Sequence, residues 1–281
     1  MKKIFILAAL ALTLLGGCNG RSNNKAVELR IATPYGLGYS PVYVISELKL
    51  MEKYYPNVTL SVKRYGSSIS LRNAALEANA DILFSSVITP ITLKDTGLNF
   101  KIAAGIGTAP YELMVGENSG IQSLDNFTSQ NRIVLHGFAS LPHLSIYVAL
   151  NNYFDNYSID MDNISSIIQT MADPVGYNSL LTGDVTALFT TIPYTEYARE
   201  KGFRSILSSR DVLGDISLVA SVSEEYYSKY PAVYAAFYAA LAEAVELINT
   251  RDAGALKAIS NTENIPIGEL LVLLEHEGLI F

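Results

Sequence analysis

The chain has 281 residues, of which 49% are hydrophobic and 17% charged, a composition typical of a globular protein with a large core. Its formal net charge is −7 and it contains no run of lysine or arginine, so nucleic acid and anionic membrane surfaces are poor partners. The length is sufficient for two domains of ordinary size.

Residues 1–17 have the pattern of a secretory signal peptide. Two lysines stand near the start and precede an apolar run over residues 4–15, which is too short to span a bilayer stably. Two glycines then precede Cys18, the single cysteine of the chain, and this ending resembles the bacterial lipobox, whose cysteine receives a diacylglyceryl group. We therefore expect lipidation of Cys18 and a polar tether over residues 18–26. The alternative is an ordinary secreted protein whose cysteine belongs to the leader.

A strand, a loop and a helix follow between residues 28 and 50. Residues 29–32 have the character of a short buried strand, and the loop over 33–40 is rich in glycine, proline and hydroxyl groups. Pro41 fits the first helical position, with Ser40 as the N-cap, and apolar residues recur beyond it at helical spacing. Backbone N–H groups at such a helix N-terminus favour anionic or acceptor-rich small molecules.

The rest of the chain repeats this alternation. In the first half, strands are predicted over 58–62, 81–84, 100–105 and 111–115, with a helix over 69–78. In the second half, strands are predicted over 132–135, 165–169, 187–189 and 217–221, with helices over 143–153, 232–249 and 267–274. Strands that alternate with helices form mainly parallel sheets, which bind ligands at the carboxyl ends of their strands.

Two segments that lie 105 residues apart match each other. Residues 83–86 read Leu-Phe-Ser-Ser and residues 188–191 read Leu-Phe-Thr-Thr, so a strand ends in two hydroxyl side chains in both segments. This match predicts two α/β lobes, each with polar loops at the carboxyl ends of its strands, and one cleft between them.

Several short motifs occur in the order found in a family of binding proteins. They are a helix that begins Pro41-Val42, the pair Ala75-Leu76 ahead of Asp81-Ile82, a proline directly before His143, the turn Gly183-Asp184-Val185, and Tyr230-Pro231 ahead of Phe237. Together they resemble the solute-binding proteins of bacterial ABC importers, of the group that takes nitrate, sulfonates, taurine and thiamine-pyrimidine precursors. Thr186 and Ala187 depart from the acid that is usual in this family after the turn.

The resemblance implies an α/β, two-lobe periplasmic-binding-protein fold of type II, in which each lobe is a mainly parallel sheet flanked by helices and the ligand cleft lies between the lobes. Lobe one would comprise residues 27–113 and 219–281, and lobe two residues 114–218, with crossings near 111–116 and 216–221. The implied function is capture of a small polar solute by lobe closure and its delivery to an ABC permease with its ATPase. We expect a monomer outside the cytoplasm, anchored to a bacterial membrane through Cys18.

Candidate ligand-binding residues are the polar and aromatic side chains of the loops at the carboxyl ends of the predicted strands. They are Thr33, Tyr35, Tyr39, Tyr65, Ser67, Ser68, Ser85, Ser86, Ser140, His143, Asp173 and Thr191. The serines and threonines have an alternative role as helix N-caps. Arg64 and Arg72 are the basic residues near these loops in the first half. This scarcity of positive charge, the aromatic residues and Asp173 favour an organic solute with an amine or N–H group.

An enzyme on the same fold, acting on a small organic substrate, is the main alternative. His136, His143 and Asp173 lie on separate loops, but no nucleophile elbow or free thiol accompanies them, so we expect no catalytic residue and no metal site. The loop over 36–41 matches only half of the dinucleotide fingerprint, because Pro41 replaces its third glycine, and we expect no cofactor. A structural or adhesive lipoprotein is a third alternative, but it would not need a hinged cleft.

Overall fold

The computed structural model describes residues 26–153, 160–215, 217–276 and 278–281. The predicted signal peptide, Cys18 and residues 19–25 of the predicted tether lie outside the described residues.

The described residues form two five-stranded sheets with helices on their faces. The strands are β1 (Val27–Thr33), β2 (Val58–Arg64), β3 (Ile82–Ser86), β4 (Phe100–Thr108), β5 (Glu112–Gly116), β6 (Ile133–Leu135), β7 (Ile168–Thr170), β8 (Ala187–Thr190), β9 (Phe203–Ser208) and β10 (Ser217–Ser223). The α-helices are α1 (Ser40–Glu47), α2 (Leu50–Tyr54), α3 (Ser68–Leu76), α4 (Ile88–Lys94), α5 (Leu141–Val148), α6 (Met161–Ser166), α7 (Asp173–Thr182), α8 (Tyr194–Glu200), α9 (Ser209–Leu213), α10 (Glu224–Lys229), α11 (Pro231–Asn249), α12 (Ala253–Glu263) and α13 (Ile267–Leu273). The described residues also contain two 3-10 turns, Leu37–Tyr39 and Leu124–Asn126, and a π-helical turn, Ala149–Tyr153.

The two sheets have the same plan. The first has the strand order β2-β1-β3-β10-β4, and the second has the order β7-β6-β8-β5-β9. In each sheet the first three strands in this order are parallel, whereas β10 and β5 run antiparallel to both of their neighbours. Each sheet is therefore mainly parallel, with one antiparallel strand by which the chain enters from the other sheet. The predicted α/β fold of two lobes with mainly parallel sheets is confirmed.

The chain passes between the sheets twice. The first passage lies between Thr108, which ends β4, and Glu112, which begins β5. The second lies between Ser208, which ends β9, and Ser217, which begins β10. The first passage therefore precedes the predicted 111–116 by a few residues, and the second ends at the start of the predicted 216–221. We call the part that carries the first sheet lobe one and the part that carries the second sheet lobe two.

The two segments that match at an offset of 105 residues occupy equivalent places. β3 and β8 are each the third strand in the order of their sheets, on the same side of β1 and β6 respectively. Ser85 and Thr190 lie at the carboxyl ends of these strands and are both buried. The repeat in sequence thus corresponds to a repeat in topology.

The structure differs from the predicted elements in several places, of which three are informative. The predicted strand over 165–169 is wrong in its first half, because Asp160 Oδ1 accepts a hydrogen bond from the Asn163 N–H at 2.8 Å and caps α6, which continues to Ser166. Ser40 does not cap α1, because its hydroxyl donates to Leu37 O at 2.6 Å instead. Strand β9, in which every side chain except one is only partly buried, is absent from the sequence prediction.

Helix α11 is long and apolar enough to cross a membrane by length and composition, the one such helix among the described residues. Its apolar stripe, which includes Val233, Phe237 and Leu241, is buried in the core of lobe one. The Phe237 ring meets the Phe84 ring edge-on, with 6.2 Å between the ring centres. These contacts are typical of a helix that packs in the core of a globular lobe, as α11 does in lobe one.

Candidate ligand-binding site

The loops at the carboxyl ends of the two sheets meet, because hydrogen bonds join α3 of lobe one to the loop between β6 and α5 of lobe two. The Ser68 N–H donates to His136 O and the Ser68 hydroxyl donates to Phe138 O, both at 3.0 Å. The Arg72 guanidinium donates to Phe138 O and Ala139 O, both at 3.1 Å. We call residues 136–139 the latch loop. The two lobes are thus in direct contact on one side of the cleft.

Two glycines permit this close approach. A Cβ at Gly137 would lie 2.1 Å from Ser68 Oγ, and the backbone there has φ +155°, which side chains of L residues rarely adopt. A Cβ at Gly66 of lobe one would lie 2.8 Å from the Ala172 Cβ of lobe two. A side chain at either glycine would therefore hold the lobes apart.

A second contact joins the lobes near the crossing. The Leu37 N–H of lobe one donates to Ile192 O of lobe two at 3.1 Å. The adjacent Thr191 hydroxyl donates to Pro110 O at 2.9 Å, which fixes the loop after β8 to the segment that connects the sheets. Contacts on two sides thus define the walls of the cleft.

A buried polar cluster lies between these contacts. Tyr39 and Tyr111 are each 2% exposed, and each hydroxyl influences the pKa of the other, so the two lie close together. Asp173, the first residue of α7, is 4% exposed and accepts a hydrogen bond from the Thr190 hydroxyl at 2.6 Å. Burial, and then the negative charge of Asp173, raise the pKa of the Tyr39 hydroxyl, which places the carboxylate close to this pair.

The Asp173 carboxyl has a perturbed protonation equilibrium. Burial, assisted by the negative charge of Glu263, raises its pKa from 3.8 to about 6, against the opposing effect of hydrogen bonds from Thr190 and from its own backbone. Among the described residues, Asp173 forms no ion pair with a cationic side chain. A buried carboxylate without a counter-cation, in a cleft, is a candidate functional group.

Arg64, the last residue of β2, lies in an aromatic and acidic environment. Its guanidinium forms an ion pair with Glu263 of α12 at 2.7 Å and donates to Thr262 O at 3.0 Å. Its Cζ lies 4.0 Å from the centre of the Tyr35 ring and 5.2 Å from that of the Tyr43 ring. The buried Arg64 Nε has no hydrogen-bond partner among the described residues, so one donor of this group remains available.

Tyr194, the first residue of α8, lies near both the Asp173 carboxyl and the Arg64–Glu263 pair. Burial raises the pKa of its hydroxyl, and the negative charges of Glu263 and Asp173 raise it further, so the hydroxyl lies near carboxylates of both lobes. The Tyr194 ring lies 5.8 Å from the Tyr177 ring and 6.2 Å from the Tyr197 ring. Two carboxyl groups from opposite lobes, one guanidinium and several tyrosine rings therefore converge in one region.

Other predicted site residues stabilise the loops. Ser67 is the N-cap of α3 and accepts from the Ser70 N–H at 3.1 Å. Ser140 caps α5 in the same way, through the His143 N–H at 3.5 Å. The half-buried His143 ring stands edge-on to Phe138, with 5.2 Å between the ring centres, and burial lowers its pKa. These hydroxyls have the capping role that the sequence leaves as an alternative.

Three further predicted residues are buried at strand ends. Thr33 ends β1, and its hydroxyl donates to Pro34 O at 3.3 Å. Ser85 and Ser86 end β3, and the Ser85 hydroxyl donates to Ser86 O at 3.0 Å. Their hydroxyls lie at the edge of the sheet where the fold presents its loops.

Tyr65 packs within lobe one. Its ring packs against a small apolar cluster that includes Ala32 and Leu71, whereas the neighbouring Ile31 belongs to the main core. Because successive residues of a strand point to opposite faces, this cluster lies on the far face of the first sheet from that core.

Several residues of this region are absent from the sequence prediction of the site. They are Arg64, Glu263, Tyr43, Tyr111, His136 and Tyr194. The position of Arg64 just after a predicted strand was a usable signal, whereas Glu263 comes from a helix near the end of the chain. Burial, with the nearby Arg72 charge, lowers the pKa of His136 to about 4, and its buried Nδ1 has no partner among the described residues.

Comparison with solved structures identifies this architecture as the periplasmic-binding-protein fold. The periplasmic aliphatic sulphonate binding protein SsuA from Escherichia coli has a TM-score of 0.68 and 19% identity, over 91% of this chain and 85% of its own. The alkanesulfonate-binding protein SsuA from Xanthomonas axonopodis pv. citri, solved with bound MOPS, has a TM-score of 0.72 and 16% identity, over 89% and 84%. The periplasmic nitrate-binding protein NrtA from Synechocystis PCC 6803 has a TM-score of 0.68 and 10% identity, over 87% and 69%.

These neighbours are sulfonate- and nitrate-binding proteins, the group that the sequence motifs resemble. At identities of 10–19% the likeness establishes the fold. No family model and no curated protein sequence matches the chain.

The latch loop yields a first prediction. Replacing Arg72 by methionine keeps the apolar stem and removes two hydrogen bonds between the lobes, each worth about 0.5–1.5 kcal/mol. We expect the ligand-free protein to open, and small-angle X-ray scattering should record a larger radius of gyration. Arg132→Met is the control, because the exposed Arg132 bonds to carbonyls of its own lobe, at Ser129 and Asn131. An unchanged radius in Arg72→Met would contradict the latch.

The pKa of Asp173 yields a second prediction. Because folding raises this pKa, the folded protein retains a proton between pH 3.8 and about 6 that the unfolded chain has lost, so the destabilisation due to Asp173 grows as the pH rises through this range. Asp173→Asn should raise the free energy of unfolding above pH 6 by up to about 3 kcal/mol, and by little near pH 4. Urea unfolding at both pH values measures the difference. An equal effect at both would show that the carboxyl does not carry this penalty.

Proposed function

We propose that the protein is the extracytoplasmic solute-binding component of an ABC importer, which captures a small polar solute between its lobes and delivers it to a membrane permease with its ATPase. The observation that carries the proposal is the convergence of loops from the carboxyl ends of both sheets, joined by hydrogen bonds from Ser68 and Arg72 to the latch loop. In α/β folds this edge of the sheet is where ligands bind. The likeness to sulfonate- and nitrate-binding proteins supports the same role.

The proposed solute site comprises the groups that converge between the lobes. Lobe one contributes Tyr35, Tyr39, Arg64 and Glu263, and lobe two contributes Asp173 and Tyr194. We assign Ser68 to lobe closure, and Ser67 and Ser140 to capping, because their polar groups are already bonded in those roles. The solute would be enclosed by both lobes, and closure and binding would be coupled.

We further propose that the protein binds its solute without converting it. The titratable groups of the cleft form no nucleophile–base pair among the described residues, since Asp173 bonds to Thr190 and the Ser85 hydroxyl bonds to a carbonyl. An enzyme on the same fold is the second candidate. The perturbed pKa of Asp173 favours it, because a carboxyl with a pKa of about 6 is also suited to acid–base catalysis.

Recovery of the solute distinguishes the two candidates. The full chain, purified from bacteria, should carry a small molecule that native mass spectrometry detects and that is released on unfolding. The released compound, added back at 100 times its dissociation constant, should stabilise the fold by about 2.7 kcal/mol and be recovered with its mass unchanged. A product of different mass would favour the enzyme, and a chain that neither retains nor rebinds any compound would contradict the binding function.

Anchoring through Cys18 is proposed from the sequence of the leader, where two glycines precede the single cysteine. The full chain, expressed in bacteria fed with labelled palmitate, should incorporate the label, because lipidation of the cysteine attaches acyl chains at that point. Cys18→Ala should remain unlabelled. An unlabelled wild-type chain in the soluble fraction would contradict the anchor and leave the proposed solute binding untouched.

A further inference from the structure

Many of the groups that would hold an anion in the cleft are already bonded within the protein. The Ser68 N–H at the start of α3 donates to His136 O, and the Ser70 N–H donates to Ser67 Oγ. At the start of α5, the His143 N–H donates to Ser140 Oγ. Helix N-termini bind anions through such N–H groups, so the closed lobes leave these two termini with fewer donors to offer.

The two arginines near the cleft are also engaged. The Arg72 guanidinium donates to two carbonyls of the latch loop. Arg64 is paired with Glu263 and stacks on Tyr35, and it retains a single buried donor, Nε, without a partner among the described residues. One donor on a neutralised guanidinium is suited to an acceptor atom such as a carbonyl or hydroxyl oxygen, and supplies no net positive charge to an anion.

Acidic groups, in contrast, face the cleft from both lobes. Asp173 of lobe two is buried and forms no ion pair among the described residues. Ala172, the residue before it, approaches Gly66 so closely that a Cβ on that glycine would lie 2.8 Å from the Ala172 Cβ, and Gly66 follows by two residues the Arg64 that pairs with Glu263 of lobe one. The negative charge of Glu263 accordingly acts on the Asp173 carboxyl. The Arg64 guanidinium offsets only one of these two carboxylates. A positive group placed between them would remove a repulsion that exists only when the lobes are closed, and so would favour closure.

Aromatic rings stand beside these carboxylates. The Tyr35 and Tyr43 rings flank Arg64, and the negative charges of Asp173 and Glu263 both raise the pKa of the Tyr194 hydroxyl. Tyrosine faces attract cationic groups and cover apolar ones. The surroundings therefore suit a compact organic molecule with a positive end.

We propose that the solute is a small organic amine, whose ammonium group bridges Asp173 and Glu263 across the cleft, whose apolar part lies against Tyr35 and Tyr194, and whose acceptor atom, where it has one, meets Arg64 Nε. This inference rests on the proposed solute-binding function and makes it more specific. It assigns to this chain a solute of opposite charge to the sulfonates and nitrate named for its structural neighbours.

The titration of Asp173 gives the proposal a pH dependence with a definite sign. The titratable groups that face Asp173 are Tyr39, Tyr111, Tyr194 and Glu263, and the three tyrosine hydroxyls have raised pKa values and stay neutral. An ammonium ion binds the ionised carboxyl, so its affinity falls as Asp173 takes up a proton below about pH 6. An anion would bind more tightly over the same change of pH.

The test is thermal unfolding of the purified full chain with five separate probes: phenethylamine, putrescine, phenylpropionate, ethanesulfonate and nitrate. We expect at least one amine to raise the unfolding temperature at about pH 7.5, with a smaller rise at about pH 5. Asp173→Asn should weaken binding of that amine about tenfold or more, because the amine loses a hydrogen-bonded charge pair. Asp95→Asn removes the same charge at an exposed position at the end of α4 and should leave the affinity unchanged.

Every other outcome would contradict the proposal that the solute is an amine. Stabilisation by ethanesulfonate, nitrate or phenylpropionate alone would show an anion site, and it would leave the proposed binding function in place. The absence of any shift with all five probes would also overturn the amine, whereas the binding function fails only if no compound is retained by or rebinds to the chain. Equal affinity for the amine in wild type and Asp173→Asn would place it elsewhere than between the two carboxylates.

Discussion

The contact between α3 and the latch loop sets the distance between the lobes, and the geometry of the cleft depends on it. Four hydrogen bonds from Ser68 and Arg72 reach carbonyl groups of His136, Phe138 and Ala139. The bonds require that the backbones approach closely, which the glycine at 137 allows. Because these donors and acceptors belong to opposite lobes, they form only when the lobes close. The arrangement brings Asp173 towards Glu263 and thus creates the acidic, tyrosine-lined region between the lobes.

That region has a cost in stability, which is typical of a binding site. A carboxyl with 4% exposure and no cationic partner among the described residues would be replaced by an apolar residue if the core alone determined its identity. The Thr190 hydroxyl compensates only part of the desolvation, since the pKa of Asp173 stays raised. The buried Asp173 carboxyl destabilises the closed form when the cleft is empty. The same carboxyl is the proposed partner of a positive group on the solute.

Much of the fold could be predicted from the sequence because the elements are marked locally. The stripe of α11 recurs at helical spacing, and the paired hydroxyls after residues 84 and 189 mark two equivalent strand ends. The predictions failed for two reasons: a capping bond competed with the pattern at one place, and a strand lacked a pattern at another. Asp160 caps α6, and this helix extends into residues whose composition is that of a strand. Strand β9 is only partly buried, and its apolar and polar residues do not alternate clearly.

The site was less predictable than the fold, because it depends on which loops meet. The rule that ligands bind at the carboxyl ends of strands predicts the loops that hold Asp173 and Tyr39 as candidates. It could not indicate that Glu263, from a helix about 200 residues after β2, would pair with Arg64. Nor could it distinguish Ser67, which caps its own helix, from Ser68, which bonds to the other lobe. These distinctions depend on tertiary contacts that single-residue patterns do not record.

The most direct test of the account is a crystal structure of the full chain with the small molecule that it retains on purification. The account predicts density for this molecule between the lobes, in contact with at least one side chain of each, among them Asp173 of lobe two and Arg64 or Glu263 of lobe one. Density confined to one lobe would contradict it, as would density in the separate groove between α8 and α13, which Tyr197 and Val272 line.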